Sequence, residues 1–514
     1  MRNKKILALL VLVVCIVYAN SLSSGFVWDD KPLIVQKQLL FSHPSNAARI
    51  LILSDAPLEL KTPYYRPLNT LTYMLDHYLW GLHPFWYHLE NVLLHVLVVI
   101  VFYLLLMEVF GDGKLAFIAA ALFAVYPVNA EAVDFISARN TLLCALFSMA
   151  SFLFLAKGKK VLPLLAYFLA LLSEEPAVVL PFFLLSMELT GGLSSGEKGP
   201  KIKKAVLAGF FGVTAVYFII RHLVLGTFIA RHGIMFSQRR LKLITAVYFE
   251  HFRLMLYPFI LNADYTMKQI SFSYFKSIAA ACGVFLLLYL SLRKKTPAPV
   301  RAGAQWIFWG LLPVSNIVKI PSAPVAERFQ YMIVFGFVLI AGHFLSGLQK
   351  RKALAGYAVF FVLVLALGFR TFERNFIWKD DVSLYSSMIK SDPENSMAHY
   401  DLGNVYERHA ELENAVLEFR TALAIDPYNV NSLVDIGVAF AEEGRLDDAI
   451  GEFKTALDLD PKNIMAMSDI GMAYEKEGLF KEAAAEFQNV LRLAPGDTAS
   501  IGCLDKIKKR TGKQ

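Results

Sequence analysis

Carboxylates recur in this chain where an apolar stretch has just ended. Asp29 and Asp30 stand in Gly25-Phe26-Val27-Trp28-Asp29-Asp30-Lys31, shortly after the apolar run 6–20. Glu131 and Asp134 follow Tyr126-Pro127, Glu174 and Glu175 follow Ser173, and Asp264-Tyr265 and Glu327-Arg328 come later. Arg66 and Arg139 lie between them, with Arg139 followed by Asn140. A carboxylate beside low dielectric is costly unless it is paired or used. The residue types suit proton transfer, although a pore or a solvated vestibule would carry the same set. His83, His88 and His95 have the look of a metal cluster. A histidine triplet spread over a loop and an apolar stretch is more economically read as structural hydrogen bonding. His83 and His88 therefore remain weak metal candidates, and a divalent cation stays open. Glu174 and Glu175 read as a helix cap.

The elements that must hold these groups are membrane helices. The chain has 514 residues, is 56% hydrophobic and has a mean hydropathy of +0.48, above an ordinary soluble domain. Apolar runs near 6–20, 88–110, 115–127, 137–156, 161–173, 176–190, 206–224, 274–292, 303–318, 328–347 and 353–371 give about 11 spans. The stretch 243–260 carries Glu250, His251, Arg253 and Pro258, which favours a surface or re-entrant helix over a span. The N-terminal basic-then-apolar stretch resembles a secretion signal without a small-residue cleavage site, and reads as a retained first span.

Basic residues orient the bundle. Arg2, Lys4 and Lys5, then Lys157, Lys159 and Lys160, then Lys198, Lys201, Lys203 and Lys204, mark alternate loops. Arg293, Lys294 and Lys295, then Lys350, Arg351 and Lys352, continue the alternation. The positive-inside rule makes that face cytoplasmic. The long loop 20–87, the other carboxylate-bearing loops and the chain after residue 372 then face outward. Topology and anionic lipid explain this charge better than nucleic acid does. Four scattered cysteines, Cys15, Cys144, Cys282 and Cys503, show no disulfide or metal spacing.

After residue 372 the hydropathy changes and a 34-residue beat begins. It runs through Pro393, Pro427, Pro461 and Pro495, through Gly403, Gly437 and Gly471, and through Phe419, Phe453 and Phe487. Small residues at one position and aromatics at another, repeated at this period, are the tetratricopeptide signature of stacked helical hairpins. Residues 373–395 read as a linker with half a repeat. The ranges 396–429, 430–463 and 464–497 are three full repeats, and 498–514 is a capping helix with a basic tail. Residues 396–497 hold eight Lys/Arg against twenty Asp/Glu, so the net charge of +8 divides into about −12 there and +20 elsewhere. Repeat phase puts Met397, Tyr400, Asn404, Asn431, Val434, Met465 and Met472 on a peptide-binding groove. Asparagine can bridge a peptide backbone there, and methionine adapts to varied side chains.

The ordered series of motifs resembles the transmembrane-and-tetratricopeptide O-mannosyltransferases and their bacterial relatives in the GT-C superfamily. It includes Trp28-Asp29-Asp30, Tyr65-Arg66-Pro67-Leu68, His88 to Asn91 with His95, and Tyr126-Pro127 with Glu131-Ala132-Val133. It continues with Pro258, Asp264-Tyr265, Leu312-Pro313, Asn316, Glu327-Arg328, Tyr331, Arg374-Asn375 and Trp378. A short segment after residue 225 and only three full repeats depart from the eukaryotic pattern. The resemblance implies a polyprenyl-phosphate-linked sugar as donor and a polypeptide hydroxyl as acceptor. By position it makes Asp29 the base with Asp30 beside it. Glu131 and Asp134 would complete the substrate pocket, and Arg66, Arg139 and Arg328 would serve the phosphate.

The expected fold is all-α: a GT-C-like polytopic bundle over 1–372 followed by an α-solenoid. The expected function is sugar transfer to a Ser/Thr hydroxyl on the non-cytoplasmic side, with no certain cofactor and the repeats docking the acceptor polypeptide. Compact length and few repeats point to a bacterial inner membrane, with a cytoplasmic N-terminus and periplasmic repeats (luminal in a eukaryote). Membrane lipids are partners and nucleic acid is not. A non-catalytic scaffold is the alternative, and a transporter or flippase is a weaker one, because the spans hold few midplane charges.

Overall fold

Each of the eleven apolar stretches overlaps a helix, several of them only in part. The computed structural model describes residues 2–53, 64–190, 203–227, 237–318 and 323–512. Lys198 and Lys201, like part of the long first loop, lie outside them. Among the described residues all regular structure is helical. Six helices are long and apolar enough to cross a membrane: Pro84–Phe110, Ile136–Ala156, Lys204–Leu225, Tyr274–Leu292, Glu327–Arg351 and Ala353–Trp378. The other five expected spans fall on helices of 10–16 residues. At about 1.5 Å per residue these are shorter than the hydrocarbon core by themselves. The stretch placed at 243–260 begins as the helix Gln238–Leu256, whose Glu250 and His251 face inward.

Helix ends follow their sequences. Asp112 caps the helix Gly113–Ala124 by accepting from the N–H groups of Lys114 at 3.0 Å and Leu115 at 3.1 Å, satisfying two donors that lack intrahelical partners. Just before it, Gly111 at φ +64° closes Pro84–Phe110 in the left-handed conformation. Small residues permit close crossings in the core. A Cβ on Gly303 would lie 2.5 Å from the Gly336 carbonyl oxygen, so the helices Ala298–Leu311 and Gln330–Arg351 touch through their backbones.

The chain divides into two compact units, 1–380 and 381–514. In the second, each hairpin's first helix starts from a side-chain cap. Asn395, Asn429, Asn463 and Asp497, again 34 residues apart, accept from the N–H groups of Ala398, Ser432, Ala466 and Ser500. The repeat glycines mark close approach: a Cβ on Gly403 or Gly437 would come within 2.5 Å of the ring of Phe419 or Phe453. The half-repeat is the helix Asp381–Ser391. Residues 373–378, expected to begin a linker, instead complete the helix Ala353–Asn375 and the turn Phe376–Trp378.

Candidate active site

The Trp28-Asp29-Asp30 segment is held by contacts from distant parts of the first unit. Gly25 donates its N–H to the Lys379 carbonyl at 2.9 Å, and the His88 Nε2 lies 3.3 Å from the Gly25 carbonyl. Trp28 then takes φ +49°, a left-handed conformation disfavoured by about 1–2 kcal/mol for a residue with a Cβ. Its indole stacks on Phe135 at 5.6 Å, and Phe135 stacks on Trp378 at 5.1 Å. The aromatic column offsets that cost and fixes the turn.

The two aspartates separate completely. Asp30 is fully buried; one oxygen accepts from the Ser137 N–H at 2.7 Å and the Ser137 hydroxyl at 2.6 Å, the other from the Val27 N–H at 3.1 Å. Burial pushes its pKa up to about 7, against the pull of those hydrogen bonds. It ties the loop to the turn Ile136–Ala138 and is not presented to a substrate, which corrects the expectation of a second catalytic carboxylate. Asp29 is exposed to solvent. The protein mass around it raises its pKa and the charge of Arg328 opposes the rise.

Arg328 in turn is gripped by Glu131. Its backbone N–H donates to Glu131 Oε2 at 2.9 Å, and its guanidinium donates to the other oxygen. The guanidinium carbon lies 5.9 Å from the centre of the Phe135 ring. Asp29, Glu131, Arg328 and the aromatic column therefore form one constellation. A second ion pair braces it, Arg374 donating to Glu327 at 2.9 Å while the Tyr265 hydroxyl donates to the same carboxylate at 3.2 Å.

Other expected residues fall elsewhere. Arg139 is fully buried and its donors are committed: to Asp76 at 2.6 Å, Glu90 at 3.2 Å, Asn91 at 2.8 Å and the Tyr87 carbonyl at 3.1 Å. It locks the helices Pro67–Trp80, Pro84–Phe110 and Arg139–Ala156 together and cannot reach a phosphate. Asp134 is also fully buried, beside Ser21 and Arg374, and burial raises its pKa to about 8. It is enclosed in the first unit and is not presented to a substrate. Arg66 donates twice to Glu175, at 3.0 and 2.9 Å, with its guanidinium over Tyr64. His95 sits inside the bundle between the Tyr331 hydroxyl at 2.7 Å and the Ala124 carbonyl at 3.3 Å. His83 precedes the helix Pro84–Phe110, while His88 braces Gly25. No group of three or more metal-ligating side chains occurs among the described residues.

Sequence reasoning missed Glu174. Its side chain makes no cap hydrogen bond, contrary to the expected role. It is buried, accepts from the Thr141 hydroxyl at 3.1 Å and has its pKa raised by that burial. With Arg328 and Thr141 it forms the polar end of a cavity of about 20 Å³ whose other wall is Phe183, Trp306 and Trp309. An apolar cleft of about 50 Å³ shares Phe183 and Trp306 and continues past Phe335 to Phe110. Phe135, Ser137 and Trp306 were equally hidden, because their roles come from partners far along the chain.

In the repeats, Met397, Met465 and Met472 are exposed, as is Asn431. Tyr400 packs on Phe419 at 5.7 Å, and the Asn404 amide donates to the Tyr400 carbonyl. Val434 is a correction: at 2% exposure it belongs to the repeat core, not to a groove.

The tetratricopeptide-repeat family model matches residues 382–430 and 434–498. Protein O-mannosyl-transferase TMTC3 of Mus musculus is 26% identical over 82% of this chain and 51% of its own length. Protein O-mannosyl-transferase TMTC4 of Mus musculus is 28% identical over 75% of this chain and 62% of its own. The chain is similar to these proteins, which are named protein O-mannosyl-transferases. It spans about half to three-fifths of the length of these relatives. Because the alignments cover more of the chain than the repeats do, the homology takes in the membrane unit. Among solved structures, the Arabidopsis OM64 TPR domain matches 23% of this chain and 97% of its own length, at 26% identity and a TM-score of 0.22.

Proposed function

We propose that this protein is a membrane glycosyltransferase that moves a sugar from a polyprenyl-phosphate donor to a Ser/Thr hydroxyl of a polypeptide. The observation that carries the reading is an exposed carboxylate, Asp29, within the field of an arginine that Glu131 holds in place. In the step, the acceptor oxygen forms a bond to the anomeric carbon and gives its proton to Asp29. The bond from that carbon to the phosphate oxygen breaks, and polyprenyl phosphate leaves with the electron pair. Arg328 stabilises the charge that develops there, as a fixed guanidinium can. A raised pKa makes Asp29 a stronger base than an ordinary carboxylate.

The cavity supports the donor assignment by its chemistry. A polar end at Arg328, Glu174 and Thr141 leads to an aromatic wall, matching a phosphate with an apolar tail. At about 20 Å³ it holds roughly one water, so the donor must open it. The relatives' name, protein O-mannosyl-transferase, supports mannose as the sugar and protein as the acceptor. The exposed methionines of the repeats suit the docking of that acceptor. Basic loops on the opposite ends of the helices support an outward, periplasmic or luminal, site; alkaline phosphatase fused after Gln514 would then be active.

Membranes holding equal amounts of wild type and Asp29→Asn test the reaction directly. The readout is transfer from polyprenyl-phosphate mannose to acceptor protein. The variant should lose about a hundredfold to ten-thousandfold in rate. Wild-type rate should fall as pH drops through the Asp29 pKa, because the protonated acid cannot act as base. Near-normal transfer by Asp29→Asn would remove that residue from the mechanism. A wild type that transfers nothing while its repeats still capture polypeptide would make the protein a scaffold.

A further inference from the structure

Five helices have one end at the carboxylate site and the other at a second, larger cavity. The helix Arg2–Val17 runs from Lys5 toward Asn20, and Pro84–Phe110 runs from His88 to Met107. Gly113–Ala124 ends just before Tyr126, Gln330–Arg351 starts beside Arg328 and ends at Lys350, and Ala353–Asn375 returns to Arg374. A helix of 22 residues is about 33 Å long, roughly the thickness of a bilayer's hydrocarbon core. The two cavities therefore lie at opposite ends of the helix Gln330–Arg351.

The second cavity has a volume of about 870 Å³, within the range of small-molecule sites. Its lining divides by chemistry. Lys5, Lys114 and Lys350 line it together with Asp112, and Phe117, Phe360 and Phe361 supply apolar lining. Lys350 pairs with Asp112 at 2.9 Å, and that carboxylate is also committed to capping a helix. No carboxylate pairs with Lys5 or Lys114 among the described residues, and both side chains are exposed. Phe361 is 59% exposed although it lies in a membrane-length helix, so the apolar wall continues to the lipid-facing surface.

We infer that this cavity is a binding site for an anionic diacyl phospholipid drawn from the leaflet at the basic end of the bundle. Its phosphate would sit among Lys5, Lys114 and Lys350, and its acyl chains would lie along Phe117, Phe360 and Phe361. A cluster of lysines opening directly onto an apolar wall recognises an amphiphile with a negative head, for which neither an acidic peptide nor a free anion supplies both parts. The lipid would brace the helices Arg2–Val17, Gly113–Ala124 and Ala353–Asn375 from the end opposite the site. The inference stands apart from the transfer reaction and needs no activity to test.

Native mass spectrometry of the purified full-length chain, released from nanodiscs holding equal phosphatidylglycerol and phosphatidylcholine, reads the site. Wild type should retain phosphatidylglycerol on the order of tenfold or more over phosphatidylcholine, given the contribution of each lysine near an anionic head. Lys5→Gln/Lys114→Gln/Lys350→Gln should bring that preference close to unity, and the single exposed change Lys114→Glu should lower it. Lys157→Gln/Lys159→Gln/Lys160→Gln, a charge-matched triple outside the cavity, should leave it intact. Phosphatidylglycerol should raise the unfolding temperature of wild type, whereas inorganic phosphate should not. Equal retention of the two lipids, equal loss in both triples, or stabilisation by inorganic phosphate alone would overturn the assignment.

Discussion

Arg328 is bound to Glu131 twice, through its backbone N–H at 2.9 Å and through its guanidinium, across 197 positions of sequence. One carboxylate thus fixes both the backbone and the side chain of the arginine proposed to meet the donor phosphate. Neither partner would be oriented without the other.

That coupling is measurable. Arg328→Ala leaves the fully buried Glu131 without its ion partner, a change that typically costs about 3–5 kcal/mol. Adding Glu131→Gln should recover much of the loss, because the stranded charge is gone. Thermal unfolding of the two single variants and the double variant gives the interaction energy, and strictly additive effects would contradict the structure. Transfer should stay low in all three.

Asp30 and Asp29 should fail in different ways. Asp30→Ala strands three donors, from Ser137 and Val27, at about 1–3 kcal/mol for each buried group left unmade. It should lower the unfolding temperature sharply, with activity lost as a consequence of folding. Asp29→Asn should leave unfolding nearly unchanged while transfer collapses. Matching unfolding temperatures for the two variants would show that the division of roles is wrong.

Asp134 makes stability depend on pH with a definite sign. Burial raises its folded pKa to about 8, well above the ordinary carboxylate range, so the folded state holds a proton that the unfolded chain releases. Its contribution is complete below about pH 4 and is lost as pH rises through 8. Asp134→Asn cannot titrate. The variant should therefore gain on wild type between pH 5 and pH 8.5, by at most about 1.4 kcal/mol per pH unit. Unfolding temperatures at the two pH values check this, and a variant that loses ground to wild type as pH rises would reverse the assignment.

Two glycines in the repeats should respond oppositely to alanine. A Cβ on Gly437 would come within 2.5 Å of the Phe453 ring, whereas nothing lies within 4 Å of one on Gly451. Gly437→Ala should cost about 1–3 kcal/mol through overpacking. Gly451→Ala, inside the helix Leu446–Leu459, should stabilise by about 0.5–1 kcal/mol through helix propensity. Urea unfolding of residues 381–514 expressed alone measures both, and equal shifts would mean that the ring does not occupy the space left by Gly437.

The helices, the 34-residue repeat and the change from membrane to solenoid are legible in the residues themselves. Each depends on local periodicity: apolar runs make spans, and a proline, a glycine and an aromatic at fixed spacing make hairpins. Even the asparagine caps follow the same beat. What each polar group does could not be read that way. Asp29 and Asp30 are neighbours of one chemical type, but Ser137, 107 positions away, claims only the second. Arg139 and Arg328 both suit a phosphate by type; Asp76, Glu90 and Asn91 consume the first, while Glu131 presents the second. Glu174 looked like a helix cap and became a cavity wall. Local sequence dictates which backbone forms, because hydrogen bonding and hydropathy act over a few residues. Whether a buried charge is neutralised, locked or offered to a substrate depends on which distant side chains the folded bundle brings beside it.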